Sequence, residues 1–148
     1  MFSYVLALLF SADRERIVLM EKTRPAWQAG RVNALGGKLR EGETAVEAAR
    51  REVREEAGVD IANWEVVLVW RDPAYTMHVV RAVGDEALQA HTAEDQRVFT
   101  SPVGDLPANV IDNLRWLIPL ALDRDVALPI DVRSAAPEGS GLTEPPPP

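Results

Sequence analysis

Gly37-Lys-Leu-Arg-Glu-Gly-Glu43-Thr-Ala-Val-Glu47-Ala-Ala-Arg-Arg51-Glu52-Val-Arg-Glu55-Glu56-Ala-Gly58-Val59 contains a helix with both of its ends encoded locally. Thr44 and Glu47 have capping-box spacing: the threonine hydroxyl can accept an early amide while the glutamate reaches back to the cap. Gly58 supplies the left-handed residue that stops a helix. Between these ends Val46, Ala49, Val53 and Ala57 recur at helical spacing and form the stripe expected to face a core. Glu52, Glu55 and Glu56, at i, i+3 and i+4, share another face within reach of one site. Like charges at that spacing repel, and Glu55 and Glu56 sit in the last turn, where the helix dipole disfavours anions. A helix shaped by stability alone would not be written this way, whereas oxygen ligands for a hard divalent cation would. The competing reading is a solvated acidic face laced with pairs such as Glu47 to Arg51 and Arg51 to Glu55.

Outward from this helix the pattern changes from helical to extended. Leu6–Phe10 and Ile17–Glu21 read as two strands joined by a polar turn, and Val32–Leu35 as a short strand running into Gly36-Gly37. Trp64–Trp70, Thr76–Val83 and Arg97–Ser101 read as further strands. Ala108–Leu122 is predicted as a second helix presenting Ile111, Leu114, Ile118 and Leu122, with Pro119 expected to bend it or delay its regular part. Residues 1–134 are read as one α/β domain. Residues 135–148, rich in Pro, Gly, Ser and Glu and ending in four prolines, are read as a disordered tail.

Composition narrows the chemistry. The chain has 148 residues, 47% of them hydrophobic and 26% charged, which suits one globular domain. It has no cysteine, so a metal can be held only by oxygen or imidazole. The net charge of −7 argues against a nucleic-acid or anionic-membrane partner, and a polyanionic substrate would need a cation as intermediary. The apolar run Tyr4–Phe10 has no basic flank before it and is too short to span a bilayer. A cytoplasmic protein, monomeric or homodimeric, is expected.

Gly37–Val59 matches the Nudix box at each specified position, and roughly residues 1–123 resemble the Nudix hydrolase family. The resemblance implies the Nudix fold, a mixed β-sheet sandwiched between α-helices. It implies Glu52, Glu55 and Glu56 as ligands of Mg2+, with Mn2+ as the alternative, the Gly37 carbonyl as a further ligand, and Glu43 and Arg51 as structural support. Lys38 corresponds to a phosphate-facing position, with a solvated loop lysine as the other reading. Glu94 fits the additional acidic ligand or base that many members carry on a later loop, and Asp95 is its fallback. His78 and His91 are read as structural, since the carboxylates suffice.

Trp27, Asn33 and Lys38 are similar in order and spacing to the MutT-like branch, and Asp112-Asn113, followed by Trp116, resembles its base-reading segment. The implied activity is cleavage of a nucleoside triphosphate, extending to oxidised purine nucleotides, into a monophosphate and pyrophosphate. Val32, Val110 and Asn113 depart from that branch and leave guanine selectivity open. Tyr75 stands about where dinucleoside polyphosphate hydrolases carry a tyrosine, so that substrate, or another nucleoside diphosphate derivative, is the enzymatic alternative. A nucleotide-sensing module without turnover is the non-enzymatic one.

Overall fold

The structure, a computed structural model, describes residues 2–135. Its strands are β1 (Phe2–Phe10), β2 (Arg16–Glu21), β3 (Val32–Asn33), β4 (Leu35–Lys38), β5 (Glu65–Arg71), β6 (Tyr75–Val83), β7 (Val98–Pro102) and β8 (Ile130–Arg133). The helices are α1 (Ala45–Ala57) and α2 (Leu114–Leu122), with a short 3-10 turn at Asp85–Gln89. One mixed sheet runs β3-β2-β1-β6-β5-β8, with β4 also paired to β1 and β7 to β2. The β1–β6 and β5–β8 pairs are parallel, and the other strand pairs are antiparallel.

The uninterrupted apolar character of β1 follows from its place inside this sheet. Val5, Ala7 and Leu9 join Ala48, Ala49, Val53 and Ala57 of α1 in one core layer. Leu6, Leu8 and Phe10 join Leu114, Leu117, Ile118 and Ala121 of α2 in the other. Because strand side chains alternate between faces, a strand covered by a helix on both sides must be apolar throughout. The expected sandwich is therefore present, and β1 is its spine.

Helix α1 begins and ends where the sequence indicates. Thr44 accepts from the Glu47 N–H, the Glu47 side chain accepts from the Thr44 N–H, and Gly58 is left-handed at φ 70°. The single strand expected over 32–35 is instead two. The Asn33 side chain takes the Ala34 N–H at 2.8 Å, interrupting the ladder, so that β3 pairs with β2 and β4 with β1.

The second helix starts six residues later than expected, at Leu114 instead of Ala108. Here the sheet edge outcompetes helix formation: Val32 donates to the Asn109 carbonyl at 3.1 Å and Ile111 donates to the Val32 carbonyl at 2.8 Å. Pro119 lies inside α2, and the carbonyl it leaves unpaired is that of exposed Arg115 in the first turn, where water can satisfy it. Strand β8 was not anticipated, although Ile130 and Val132 alternate with Asp131 and Arg133. Among the described residues no helix is long and apolar enough to cross a membrane. Apart from Ala135, the segment read as a disordered tail lies outside the described residues.

Candidate active site

Glu52, Glu55, Glu56 and Glu94 line one cleft of about 380 Å³, together with Lys22 and Gly36. This volume falls within the range of small-ligand pockets. The cleft lies between α1 and β4, and the segment before β7 lines its far side. The helix does not present its three acids equally. Glu56 is only 7% exposed, beside the core stripe, which disagrees with the competing reading of a solvated acidic face. The Glu55 side chain is 40% exposed at the outer edge and engages Arg40 and Arg51, each at 3.3 Å.

Burial sets the electrostatics of the two inner acids. Desolvation pushes the Glu56 carboxyl up to about 8, partly opposed by the Gly36 N–H, which donates to Glu56 Oε1 at 2.9 Å, and increased by the nearby charge of Glu52. Glu52 is also raised by burial, with Arg51 opposing the shift. Lys22 is 7% exposed; burial depresses its ammonium, and the negative field of Glu56 partly restores it. Acids and a lysine withdrawn from water in one cleft, with shifted ionisation, are an arrangement concentrated at functional sites.

The donor set fits a divalent metal. All its side-chain ligands are carboxylate oxygens, as a hard cation prefers, and the β4 backbone lies directly against them. A Cβ added at Gly37 would fall 2.4 Å from Glu52 Oε1, so a larger residue there would displace the Glu52 carboxylate. Among the described residues no three ligating groups stand close enough to grip an ion as placed. Arg51, Arg40 and the Gly36 amide hold the carboxylates instead. Mg2+ tolerates sparse protein coordination because it retains several waters.

Arg51 ties the loop before α1 to the helix. Its Nε and Nη2 donate to the two Glu43 oxygens at 2.7 and 2.8 Å, Nη2 also donates to the Lys38 carbonyl, and Nη1 donates to Glu52 at 2.8 Å. The Glu43–Arg51 fork is mostly buried, with side-chain exposures of 13% and 11%. Its hydrogen bonds from Arg51 lower the Glu43 carboxyl from 4.5 to about 2. A depressed acid stabilises the fold above its unfolded value and loses that contribution as pH falls toward its folded value. The urea midpoint is therefore expected to drop between pH 4.5 and about 2 and to drop less steeply in Glu43→Gln. Parallel pH curves for the two proteins would contradict this role.

Several sequence expectations land elsewhere. Lys38 does not line the cleft, and its ammonium lies 4.1 Å from the centre of the Phe2 ring. The register explains why: Gly37 pairs with Val5 on the α1 side, so the next residue, paired with Tyr4, turns to the opposite face. The cleft lysine is Lys22, which sequence reasoning missed; Gly36 is marked there only as a glycine following a short strand, with no site role. Trp27 is 40% exposed in the turn before β3. Asn33 is buried and donates to Gln28 Oε1 at 3.0 Å. Asp112 and Asn113 stand at the start of α2, beyond the segment bonded to β3, and the Asn113 Oδ1 is buried without a partner among the described residues. None of these four lines the acidic cleft.

Glu94 lines the cleft, while Asp95 pairs with Arg24 at 2.6 Å. Tyr75 packs edge-on against Tyr4, with 6.2 Å between ring centres. His78 sits half-buried in β6, and the His91 ring covers Gly58.

Comparison with known proteins gives one family and one fold. The NUDIX domain family matches residues 2–126. The oxidized purine nucleoside triphosphate hydrolase of Danio rerio is 29% identical across 82% of this chain and 81% of its own. A MutT NUDIX hydrolase from Burkholderia pseudomallei shares the fold with a TM-score of 0.66 and 22% identity, covering 80% of this chain and 96% of that one. A NUDIX hydrolase from Nitrosomonas europaea superposes with a TM-score of 0.64 at 17% identity, covering 90% of this chain and 79% of that one.

Proposed function

The chain belongs to the NUDIX family, and from that premise we propose that it is a magnesium-dependent hydrolase releasing pyrophosphate from nucleoside triphosphates, oxidised purine nucleotides among them. The observation that carries this reading is the gathering of Glu52, Glu55, Glu56 and Glu94 on one cleft with Lys22. The name of the Danio rerio relative supports the substrate class.

Glu52, Glu55 and Glu56, with Glu94 and the Gly37 carbonyl, would hold the cation. When bound, it supplies positive charge that stabilises the phosphoryl oxygens during water attack on phosphorus. The protein's own contributions can be assigned residue by residue. The Gly36 N–H orients Glu56 through Oε1. Lys22 offers an ammonium to phosphate oxygens from a partly dry site, where such an interaction is stronger than in water. Arg51 fixes Glu52 through Nη1 and, through Nη2 on the Lys38 carbonyl, the end of β4. Glu94, at the far wall, is assigned to accept the proton of the attacking water or to complete the ligand set. The roles of Trp27, Asn33, Asp112 and Asn113 in base selection belong to the same proposal.

Product analysis tests it. With Mg2+ and a panel of oxidised dGTP, ATP, a dinucleoside polyphosphate and ADP-ribose, the expected products are pyrophosphate and a monophosphate from a triphosphate. Chelation should stop the reaction. Orthophosphate as the sole phosphate product would overturn the assigned bond. Binding across the panel without turnover would instead identify a sensing module.

A further inference from the structure

The acid at the far wall of the cleft belongs to a segment that contributes neither a helix nor a strand of its own. Residues 91–97 nevertheless have a well-defined set of attachments. At one end the His91 N–H donates to the Ala57 carbonyl at 3.0 Å and the Ala93 N–H to the Glu56 carbonyl at 3.1 Å, satisfying carbonyls that the C-terminus of α1 would otherwise leave unpaired. At the other end Glu21 donates to the Arg97 carbonyl at 2.9 Å, and Val98 donates to Thr92 Oγ1 at 2.9 Å, closing the loop on itself. Glu94 lies between these anchors.

Among the described residues, contacts of two kinds cross from this loop to the segment that follows β2. One is the Arg24–Asp95 pair, short at 2.6 Å but with both side chains about three-fifths exposed, at 60% and 64%. Such a pair is screened by water and salt and fixes a loop weakly. The other is made by Gln96, which is 6% exposed and lines the cleft. Its Oε1 accepts the Thr23 N–H at 2.8 Å, and the Thr23 hydroxyl lies 3.4 Å from the same atom. The acceptor is buried although Thr23 itself is exposed, so this hydrogen bond is less screened by water and salt than the Arg24–Asp95 pair. Thr23 follows directly on Lys22, so this hydrogen bond joins the strand end carrying the cleft lysine to the loop carrying Glu94.

We infer that Gln96 is a positioning residue for the reaction: by accepting the Thr23 N–H it holds the Glu94 loop against Lys22 and sets the width of the cleft. The inference rests on the hydrolase reading. Gln96 has no reactive role, and its effect is exerted through Glu94.

The test uses Gln96→Met, which keeps length and removes the acceptor, in the full chain alone and combined with Glu94→Gln. The first readout is amide hydrogen exchange, which needs no turnover. Thr23 and Ala93 should lose protection at least tenfold while Val53 in α1 is unchanged; unchanged protection at Ala93 would overturn the inference. The second is steady-state kinetics with the triphosphate. Gln96→Met should lower kcat about tenfold with KM within twofold, and in the Glu94→Gln background should lower it less than twofold further. Equal losses in both backgrounds would make Gln96 merely structural and overturn the proposal. Failure of the hydrolase reading looks different, since the unsubstituted chain would then turn over no nucleotide, while the exchange data would still judge whether Gln96 holds the loop.

Discussion

Replacing Glu56 by glutamine is expected to lower kcat by about a hundredfold or more while leaving the fold intact. The amide is nearly isosteric and keeps an oxygen for the Gly36 N–H, so the 2.9 Å hydrogen bond that seats the side chain can persist. What disappears is the capacity to carry charge toward a cation. Stability should move in the opposite direction from activity. The unfolded carboxyl ionises near 4.5 and the folded one near 8, so the wild-type fold loses stability as pH rises through that interval. Glutamine removes this dependence. At pH 8 its urea midpoint should equal or exceed the wild-type value, and the two should converge toward pH 4.5. A folded variant with near wild-type kcat would remove Glu56 from the catalytic account.

Gly36→Ala is expected to produce the largest structural loss of any single methyl addition described here, about 3 kcal/mol or more by the usual cost of overpacking and backbone strain. Gly36 has φ +151°, and a Cβ there would lie 2.0 Å from the Val5 carbonyl oxygen and 3.2 Å from Leu6 Cα. Both neighbours are backbone of the central strand and cannot swing aside. Relief requires β4 to move away from β1, which withdraws the Gly36 N–H from Glu56 and disturbs the contact of Gly37 with Glu52. Activity and stability should therefore fall together. Gly42→Ala is the control: its φ is +78° but nothing lies within 4 Å, so only the left-handed backbone cost of about 1 kcal/mol is expected. Equal urea midpoints for the two variants would contradict the packing argument.

The parts of this site legible in the sequence are those specified by nearest neighbours along the chain. Thr44, Glu47 and Gly58 determine the helix ends through contacts a few residues long, and i, i+3 and i+4 spacing gathers the acids on one face without reference to the rest of the protein. Glu94 was reachable only through family resemblance, because its loop meets the C-terminus of α1 by backbone hydrogen bonds that no side-chain pattern encodes. Lys22 was missed, and Gly36 given no site role, for a related reason. Their positions depend on how β2 and β4 register against partners distant in sequence, and a one-residue alternation exchanges one face for the other. The same alternation turns Lys38 away from the cleft. Helix propensity over 108–113 was overridden by Val32, whose N–H and carbonyl recruit Asn109 and Ile111 to the sheet edge. Asn33 was recognised as special, but its interactions with Gln28 and the Ala34 amide appear only once the turn is folded.

Glu52 and Glu56 are proposed to face one cleft in order to hold a divalent cation, and Mn2+ binding tests this most directly. Free Mn2+ is followed by its electron paramagnetic resonance signal as protein is added, with a non-hydrolysable nucleoside triphosphate analogue present for wild type and for Glu52→Gln/Glu56→Gln. Wild type should bind Mn2+ in the presence of the nucleotide, and the double variant, still folded by circular dichroism, should bind at least tenfold more weakly. Equal affinity in the two proteins would contradict the claim.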